Sequence, residues 1–400
     1  MNEYLTLDQV ATYSEERINS KEVPLAKYVT VDNLLQNKRG IVLAENKPPQ
    51  DCSLVRYKKE NILIGNIRPY LKKIWFSDRD GGASADVLVF VVKPEYCPQY
   101  VYYSMFRDDF FTHMMRGKKG TKMPRGDKDQ ILDYLIPKNT LPVQQKIAEV
   151  LSKFDEKIEL NHRINAELES MAKTLYDCWF VQFDFPDKNG KPYKSSAGKM
   201  VWNAELKREI PEGWEVGSLI DIADYINGLP CQKYRPVGTN FLRVIKIKEM
   251  HDGFNSETEK VRPDIPQKVI IENGDVLFSW SASLEVQIWT GGKGALNQHI
   301  FKVTSEKYPK SFFYYQLLNY IQHFKMMAEN RKTTMGHITQ DHLKQSRIVL
   351  PPRELTEMLD IKISPLLNKM VHNQIERLEL SQLRDWLLPM LMNGQVKVKG

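Results

Sequence analysis

Long apolar runs are missing from this chain of 400 residues, and none approaches the ~20 residues that cross a bilayer. The opening MNEYLTLDQV has no basic stretch followed by an apolar one, so no secretory signal is read and a cytoplasmic location is expected. Cysteine is scarce. Cys52, Cys97, Cys178 and Cys231 lie far apart and form no paired motif, which points to reduced thiols rather than disulfides or zinc. No P-loop is present; the turn GGKG at 291–294 lacks its spacing and its Lys-Ser/Thr ending. The Pro-Pro pairs in Lys47-Pro48-Pro49-Gln50 and Leu350-Pro351-Pro352-Arg353 do not make the Asp/Asn-Pro-Pro-Tyr/Phe motif of amino-methylation. No His, Cys and Asp cluster has metal-ligand spacing. Chemistry is therefore expected in partner chains, and no cofactor is expected on this one. Charge imbalance is small as well: 57 Lys and Arg stand against 50 Asp and Glu, so any polyanion surface must be local.

What is present begins with a seam. From Ile147 the positions Leu151, Phe154, Ile158, Asn161, Asn165, Leu168, Ala172, Leu175 and Trp179 follow alternating steps of three and four, and the faces between them are charged. That is the pattern of a helix whose apolar stripe meets another helix. Asn in such a seam weakens it but fixes register. Before it, residues 1–140 read as a mixed domain with short β-type runs at 61–67, 74–76 and 87–92. After the helix (141–183), residues 184–209 are rich in Pro, Gly, Ser and Lys and read as a linker. A second mixed domain spans 210–350, a second helix 351–392, and a tail 393–400.

The second half repeats the first. At a shift of 212 residues Leu151 falls on Ile363, Phe154 on Leu366, Ile158 on Met370, Asn161 on Asn373, Leu168 on Leu380 and Leu175 on Leu387. Tyr102-Tyr103 falls on Tyr314-Tyr315, and Ile62-Leu63-Ile64 falls near that shift on Val276-Leu277-Phe278. Each helix has a seam it cannot bury alone, and its nearest partner is its own repeat. A pseudo-twofold tandem pair with two long antiparallel helices is expected, with the domains at opposite ends. Asn161, Asn165, Asn373 and Arg377 would form a polar layer.

Two domains on a spacer suggest a reader of two sites at a set distance, and duplex DNA is such a ligand. The phrases LPVQQKIAEVLSKFDEKIELNHRIN, WFVQFDFP, IPEGWEV and GDVLFSWSASLEVQIWTGGKGALNQHIFKV, with the duplication, resemble the specificity (S) subunit of Type I restriction–modification enzymes over essentially the whole chain. The resemblance implies an α+β fold with two mixed α/β target recognition domains. It implies a non-catalytic subunit that reads a bipartite sequence in double-stranded DNA. Its helices would dock two modification (methyltransferase) subunits, and restriction (nuclease and translocase) subunits would join. The family's partner subunits use S-adenosylmethionine, ATP and magnesium. One departure is that the second repeat reads PPRELTEMLDIKI where the first has LPVQQKIAEVL, which puts the equivalence of the two docking surfaces in doubt. A stand-alone two-headed DNA-binding protein and a coiled-coil scaffold are the alternatives.

Candidate DNA contacts follow from residue type. The basic loop Arg116, Lys118, Lys119, Lys122 and Arg125 suits phosphates, and Arg331, Lys332, Thr333 and Thr334 hold the matching place in the second repeat. Arg68, Tyr70, Lys72, Lys73 and Trp75 interleave bases with aromatics. In the second domain Trp280, Ser281 and Ser283 follow a strand, and Lys293, Asn297 and Gln298 follow a Gly-rich turn. Asn and Gln suit adenine, and Lys suits guanine or phosphate. His299 is read as a core strand residue. Ser364-Pro365 reads as a cap followed by Pro at a first helical position, so the second helix is expected to break there, and the first to kink or break at Ser152. The spacer would then cover 153–183 and 365–388.

Overall fold

A computed structural model describes residues 3–46, 52–118, 120, 122–281, 283–330 and 338–398. The chain divides into two compact units. Unit 1 is residues 1–157 with 380–400, and unit 2 is residues 158–379.

Unit 1 is layered around a four-stranded antiparallel sheet, ordered Ala11–Tyr13, Val87–Val92, Ile62–Gly65, Ile74–Phe76. Strand alternation decides what packs where. Ile62, Ile64, Ile74, Leu88 and Phe90 face a core shared with the helices Pro98–Phe106 and Asp108–Arg116. Leu63, Trp75, Val87 and Val89 face the opposite way, into a core with Val29, Tyr57 and Ala83 of a second sheet. The central strand is covered on both faces, which is why it reads as an unbroken apolar run. The second sheet is ordered Arg17–Asn19, Ser53–Tyr57, Gly81–Ala83, Tyr28–Val29. Gly81 is needed there: a Cβ would stand 2.2 Å from the Lys27 carbonyl oxygen.

Unit 2 repeats the plan. Asp224–Asn227, Ile300–Thr304, Val276–Ser279 and Glu285–Ile288 form the antiparallel sheet in the same order. Val276, Phe278, Phe301 and Val303 face the helix Lys310–Asn330, while Leu277 and Ile300 face the second sheet. That second sheet shares three strands with its counterpart in unit 1, Ile270–Ile271, Gly294–Leu296 and Leu242–Ile245, joined by one antiparallel and one parallel pairing. The fourth strand differs. In unit 1 it is added beside Ser53–Tyr57, in unit 2 beside Leu242–Ile245. The segment expected as a linker is folded. Met200–Asn203 pairs with Arg208–Pro211, Asp184 accepts hydrogen bonds from the Ser195 backbone (2.7 Å) and hydroxyl (2.6 Å), and Phe185 stacks on Tyr193 and Trp214.

The first long helix is Leu141–Tyr176, closed by a π-turn at Asp177–Val181, and the second is Arg353–Met392. Unit 1 takes the start of the first and the end of the second: Ile147, Ala148, Leu151, Leu388, Leu391 and Met392 enter its helix-side core. Unit 2 takes Ala172 and Tyr176 with Leu359, Ile363 and Leu367. Its register is antiparallel: Asn161 Nδ2 donates to Glu376 Oε2 (2.7 Å), Asn165 Nδ2 to the Met370 carbonyl (3.0 Å), and Asn373 Nδ2 to Asn165 Oδ1 (2.9 Å). The expected seam residues, from Leu151 and Phe154 to Leu380 and Leu387, are all buried or half-buried. Leu367 and Leu388 are buried, however, where the expected Leu366 and Leu387 one residue earlier are half-buried.

The expected breaks do not occur. The second helix runs through Ser364 and Pro365. Pro365 removes the N–H that would bond the Ile361 carbonyl, but Ile361 is 77% exposed, so water reaches that face, and Ile363 and Leu367 hold the turn by burial on the other. The first helix runs through Ser152, whose hydroxyl donates back to the Glu149 carbonyl (3.0 Å) within the helix instead of capping a new one.

Candidate nucleic-acid interface

In unit 1 two sequence clusters far apart in the chain become one surface. The turn after Ile62–Gly65 meets the loop after Asp108–Arg116. Ile67 and Arg125 form an antiparallel bridge, the Arg68 N–H donates to the Pro124 carbonyl (2.8 Å), and the Gly126 N–H donates to Asn66 Oδ1 (3.1 Å). Arg68 adopts a left-handed backbone (φ 53°, ψ 63°) and starts the 3-10 turn Pro69–Leu71. Arg68, Tyr70, Arg116, Lys118, Lys122 and Arg125 are exposed. Arg125 pairs with Asp86 (2.8 Å).

Lys72 and Lys73 behave differently from that expectation. Lys72 pairs with Asp108 (2.9 Å), which also binds Lys38 (3.1 Å). Burial alone would raise the Asp108 carboxyl, but the hydrogen bonds and charges of the two lysines hold it below its usual range. Lys73 is corrected outright: it is buried, its ammonium donates to the Val31 carbonyl, and burial lowers its pKa. Trp75 is also interior, edge-on to Tyr57 at 5.8 Å. Lys73 shares the inward parity of Trp75 along the strand.

Unit 2 repeats the juxtaposition. The turn after Val276–Ser279 is met by the segment before the helix Gln340–Gln345: the Ile338 N–H donates to the Trp280 carbonyl (2.9 Å). Trp280, half-buried, donates from Nε1 to Asn227 Oδ1 (3.3 Å) and packs on His299 (5.5 Å). Ser281 is buried with its hydroxyl 3.5 Å from His299 Nδ1, Gln298 Nε2 is 3.3 Å from His299 Nε2, and Ser283 is exposed. His299 is thus no core residue but half-buried at this sheet end, and Asn227 is a neighbour the sequence did not flag.

Two expected contacts leave the cluster. Asn297 is buried, bridges to Leu229, and donates to Cys231 Sγ (3.9 Å). Lys293 is exposed but lies at the opposite end of the hairpin, paired with Glu272 (3.2 Å) beyond the Val276–Ile288 pairing. Lys119, Arg331, Lys332, Thr333 and Thr334 lie outside the described residues. Among the described residues no three His, Cys, Asp or Glu side chains are grouped to hold a metal, and no helix is long and apolar enough to cross a membrane.

The model of the Type I restriction modification DNA specificity domain matches this chain twice, over residues 3–170 and 211–380. The chain belongs to that family. Each match covers one globule and most of the long helix that follows it, so the sequence repeat is the family's domain in duplicate. Among curated relatives, the Type I restriction enzyme MjaIX specificity subunit of Methanocaldococcus jannaschii is 25% identical over 96% of this chain and 87% of its own length. The HindI specificity subunit of Haemophilus influenzae is 23% identical over 98% of each chain. A crystal structure of a Type I restriction–modification S subunit from M. genitalium shares the fold, with TM-score 0.58 at 13% identity, covering 97% of this chain and 95% of its own.

Proposed function

We propose that this chain is the non-catalytic specificity subunit of a Type I restriction–modification system. Each unit reads one half of a split sequence in double-stranded DNA. The long helices dock two modification (methyltransferase) subunits, and restriction (nuclease and translocase) subunits join that assembly in the cytoplasm. S-adenosylmethionine, ATP and magnesium belong to those partners, and this chain binds none of them. The observation that carries the reading is the repeated juxtaposition of a hairpin turn and a loop, Ile67–Arg125 in unit 1 and Trp280–Ile338 in unit 2. Arginines on the first surface suit phosphates and guanine edges, and Asn, Gln and Ser on the second suit adenine edges.

Co-expression with its modification partner, followed by methylome sequencing, tests this. The expected product is N6-methyladenine in a motif of two specified halves around an unspecified gap. An uninterrupted motif, or no methylation from an intact complex, overturns the reading. Tight sequence-specific binding by the purified chain with no methyltransferase co-purifying would instead favour a stand-alone two-headed DNA-binding protein.

A further inference from the structure

We infer that the turn at residues 36–39 is a third DNA-reading loop of unit 1, in which Asn37 and Arg39 help set the half-site this unit recognises. The inference rests on the proposed function and adds residues outside both basic clusters. The segment QNKR lies in a stretch with no β-type alternation and no charge run.

Three observations place it on the same surface. Leu34 and Ile41 form an antiparallel bridge and the Leu35 N–H donates to the Gly40 carbonyl (2.8 Å), so residues 36–39 close a short hairpin. Asn37 and Lys38 both have left-handed φ (57° and 61°), as in the mirror-image turns that suit hairpins, and Asn adopts that region readily. The turn is then fastened to the Arg68–Lys72 turn by two backbone bonds, Asn37 N–H to the Leu71 carbonyl and Lys38 N–H to the Lys72 carbonyl, both 2.9 Å. The Arg68 turn is itself bridged to Arg125, so three loops form one connected strip.

Lys38 and Lys72 hold the turn, and exposure marks its readers. Lys38 and Lys72 both bind Asp108, and Lys38 also sits over the Phe106 ring (4.7 Å). They fix the turn from behind. Gln36, Asn37 and Arg39 are exposed, and Arg39 Nε donates to the Gln36 carbonyl (3.2 Å) within the turn. Asn, Gln and Arg carry the donor and acceptor forks that match adenine and guanine edges, and a loop held by backbone bonds and an ion-pair clamp presents them in fixed positions. Unit 2 has no such turn at the matching place. Between its equivalent strands Leu242–Ile245 and Ile270–Ile271 stands the helix Ile247–Asp252, whose Met250 carbonyl accepts from Gln287 Nε2 (3.2 Å) on the strand Glu285–Ile288. The third loop therefore belongs to one half-site only.

The test uses the full chain co-expressed with its modification partner and read by methylome sequencing. Arg68→Ala and Trp280→Ala first identify which half of the motif each unit reads. Asn37→Gly removes the side chain while keeping a residue that tolerates φ 57°, and Arg39→Ala removes the guanidinium. Each is expected to relax one or two positions in the half that Arg68→Ala affects. Methylation at singly mismatched sites should rise about tenfold relative to the intact motif. An unchanged motif overturns the inference. So does a uniform loss of methylation with the motif intact, which marks a phosphate contact, and so does relaxation in the other half. Should Arg39→Ala fail to co-purify with the modification subunit, Asn37→Gly decides. A wild-type chain that yields no split motif defeats the proposed function instead, so the two failures are distinguishable.

Discussion

The two units dock the long helices with opposite chemistry at equivalent positions. In unit 1 Asp155 of the first helix binds Arg384 of the second (2.5 Å), Tyr103 donates its hydroxyl to Asp155 (2.6 Å), and the Arg384 guanidinium lies over the Phe106 ring (4.5 Å). Shifted by 212 residues, these positions become Leu367, Ala172, Tyr315 and Leu318 in unit 2. There the pair is apolar, with Leu367 and Ala172 both buried in one core with Tyr315. Burial works against the Arg384 charge, but Asp155 and Asp385 outweigh it and hold its pKa above the usual value. An ion pair and an apolar pair thus fill the same niche. The ion pair adds direction, since each charge needs its partner, whereas the apolar pair needs only volume. Replacing a buried ion pair by apolar groups is often neutral, while breaking it is not.

The largest effect should come from planting a charge in the apolar version. Leu367→Asp places a carboxylate in an apolar core, with Ala172 at the place that Arg384 holds in unit 1, and unit 2 should lose about 4 kcal/mol, read as a lower urea midpoint. A loss under about 1 kcal/mol would mean that water reaches this niche and that the two units are not packed alike. Next is Asp155→Ala, which strands Arg384 beside Phe106 with only Asp385 at its exposed side (2.8 Å). About 3 kcal/mol is expected, somewhat below a fully buried pair because the Asp155 side chain is 32% exposed. Combining Asp155→Leu with Arg384→Ala copies unit 2 into unit 1. The double variant should melt closer to wild type than Asp155→Ala does, by roughly 2 kcal/mol, since neither charge is then unpaired. Equal melting of the two would show that Asp155 acts by size alone.

The same comparison explains what could be read from the sequence. The duplication, the long helices and the Asn layer were legible because they depend on local periodicity and on polar residues in an apolar seam. The apolar runs at 62–64 and 276–278 were legible as β-type runs, and each is a strand covered on both faces. The continuous helix at Pro365 was not legible, because the local rule against internal proline is outweighed by burial of Ile363 and Leu367, which only the folded unit supplies. The grouping of the candidate surface in unit 1 was half legible. Residue type flagged Arg68 and Arg125, but the bridge joining their loops spans about sixty residues and leaves no local trace. Lys73 was misplaced because a 3-10 turn before the strand hides its parity until Trp75 is seen to point inward. The turn at 36–39 escaped because its left-handed pair, Asn37 and Lys38, carries no glycine.

The smallest predicted effect separates the two niches most cleanly. Tyr103 and Tyr315 occupy equivalent positions, and both hydroxyls are raised in pKa, chiefly by burial. Tyr103 has Asp155 as acceptor; the Tyr315 hydroxyl, in the core that holds Leu367 and Ala172, has no partner among the described residues. Removing a hydroxyl that bonds a charged acceptor costs about 1.5–3 kcal/mol, whereas removing an unpaired buried one costs nothing or stabilises slightly. Tyr103→Phe should therefore lower the melting temperature, and Tyr315→Phe should leave it level or raise it. In the Asp155→Leu, Arg384→Ala background the acceptor is gone, so Tyr103→Phe should become as harmless as Tyr315→Phe. If it stays costly there, the hydroxyl has another partner and the ion pair is not what distinguishes the two helix docks.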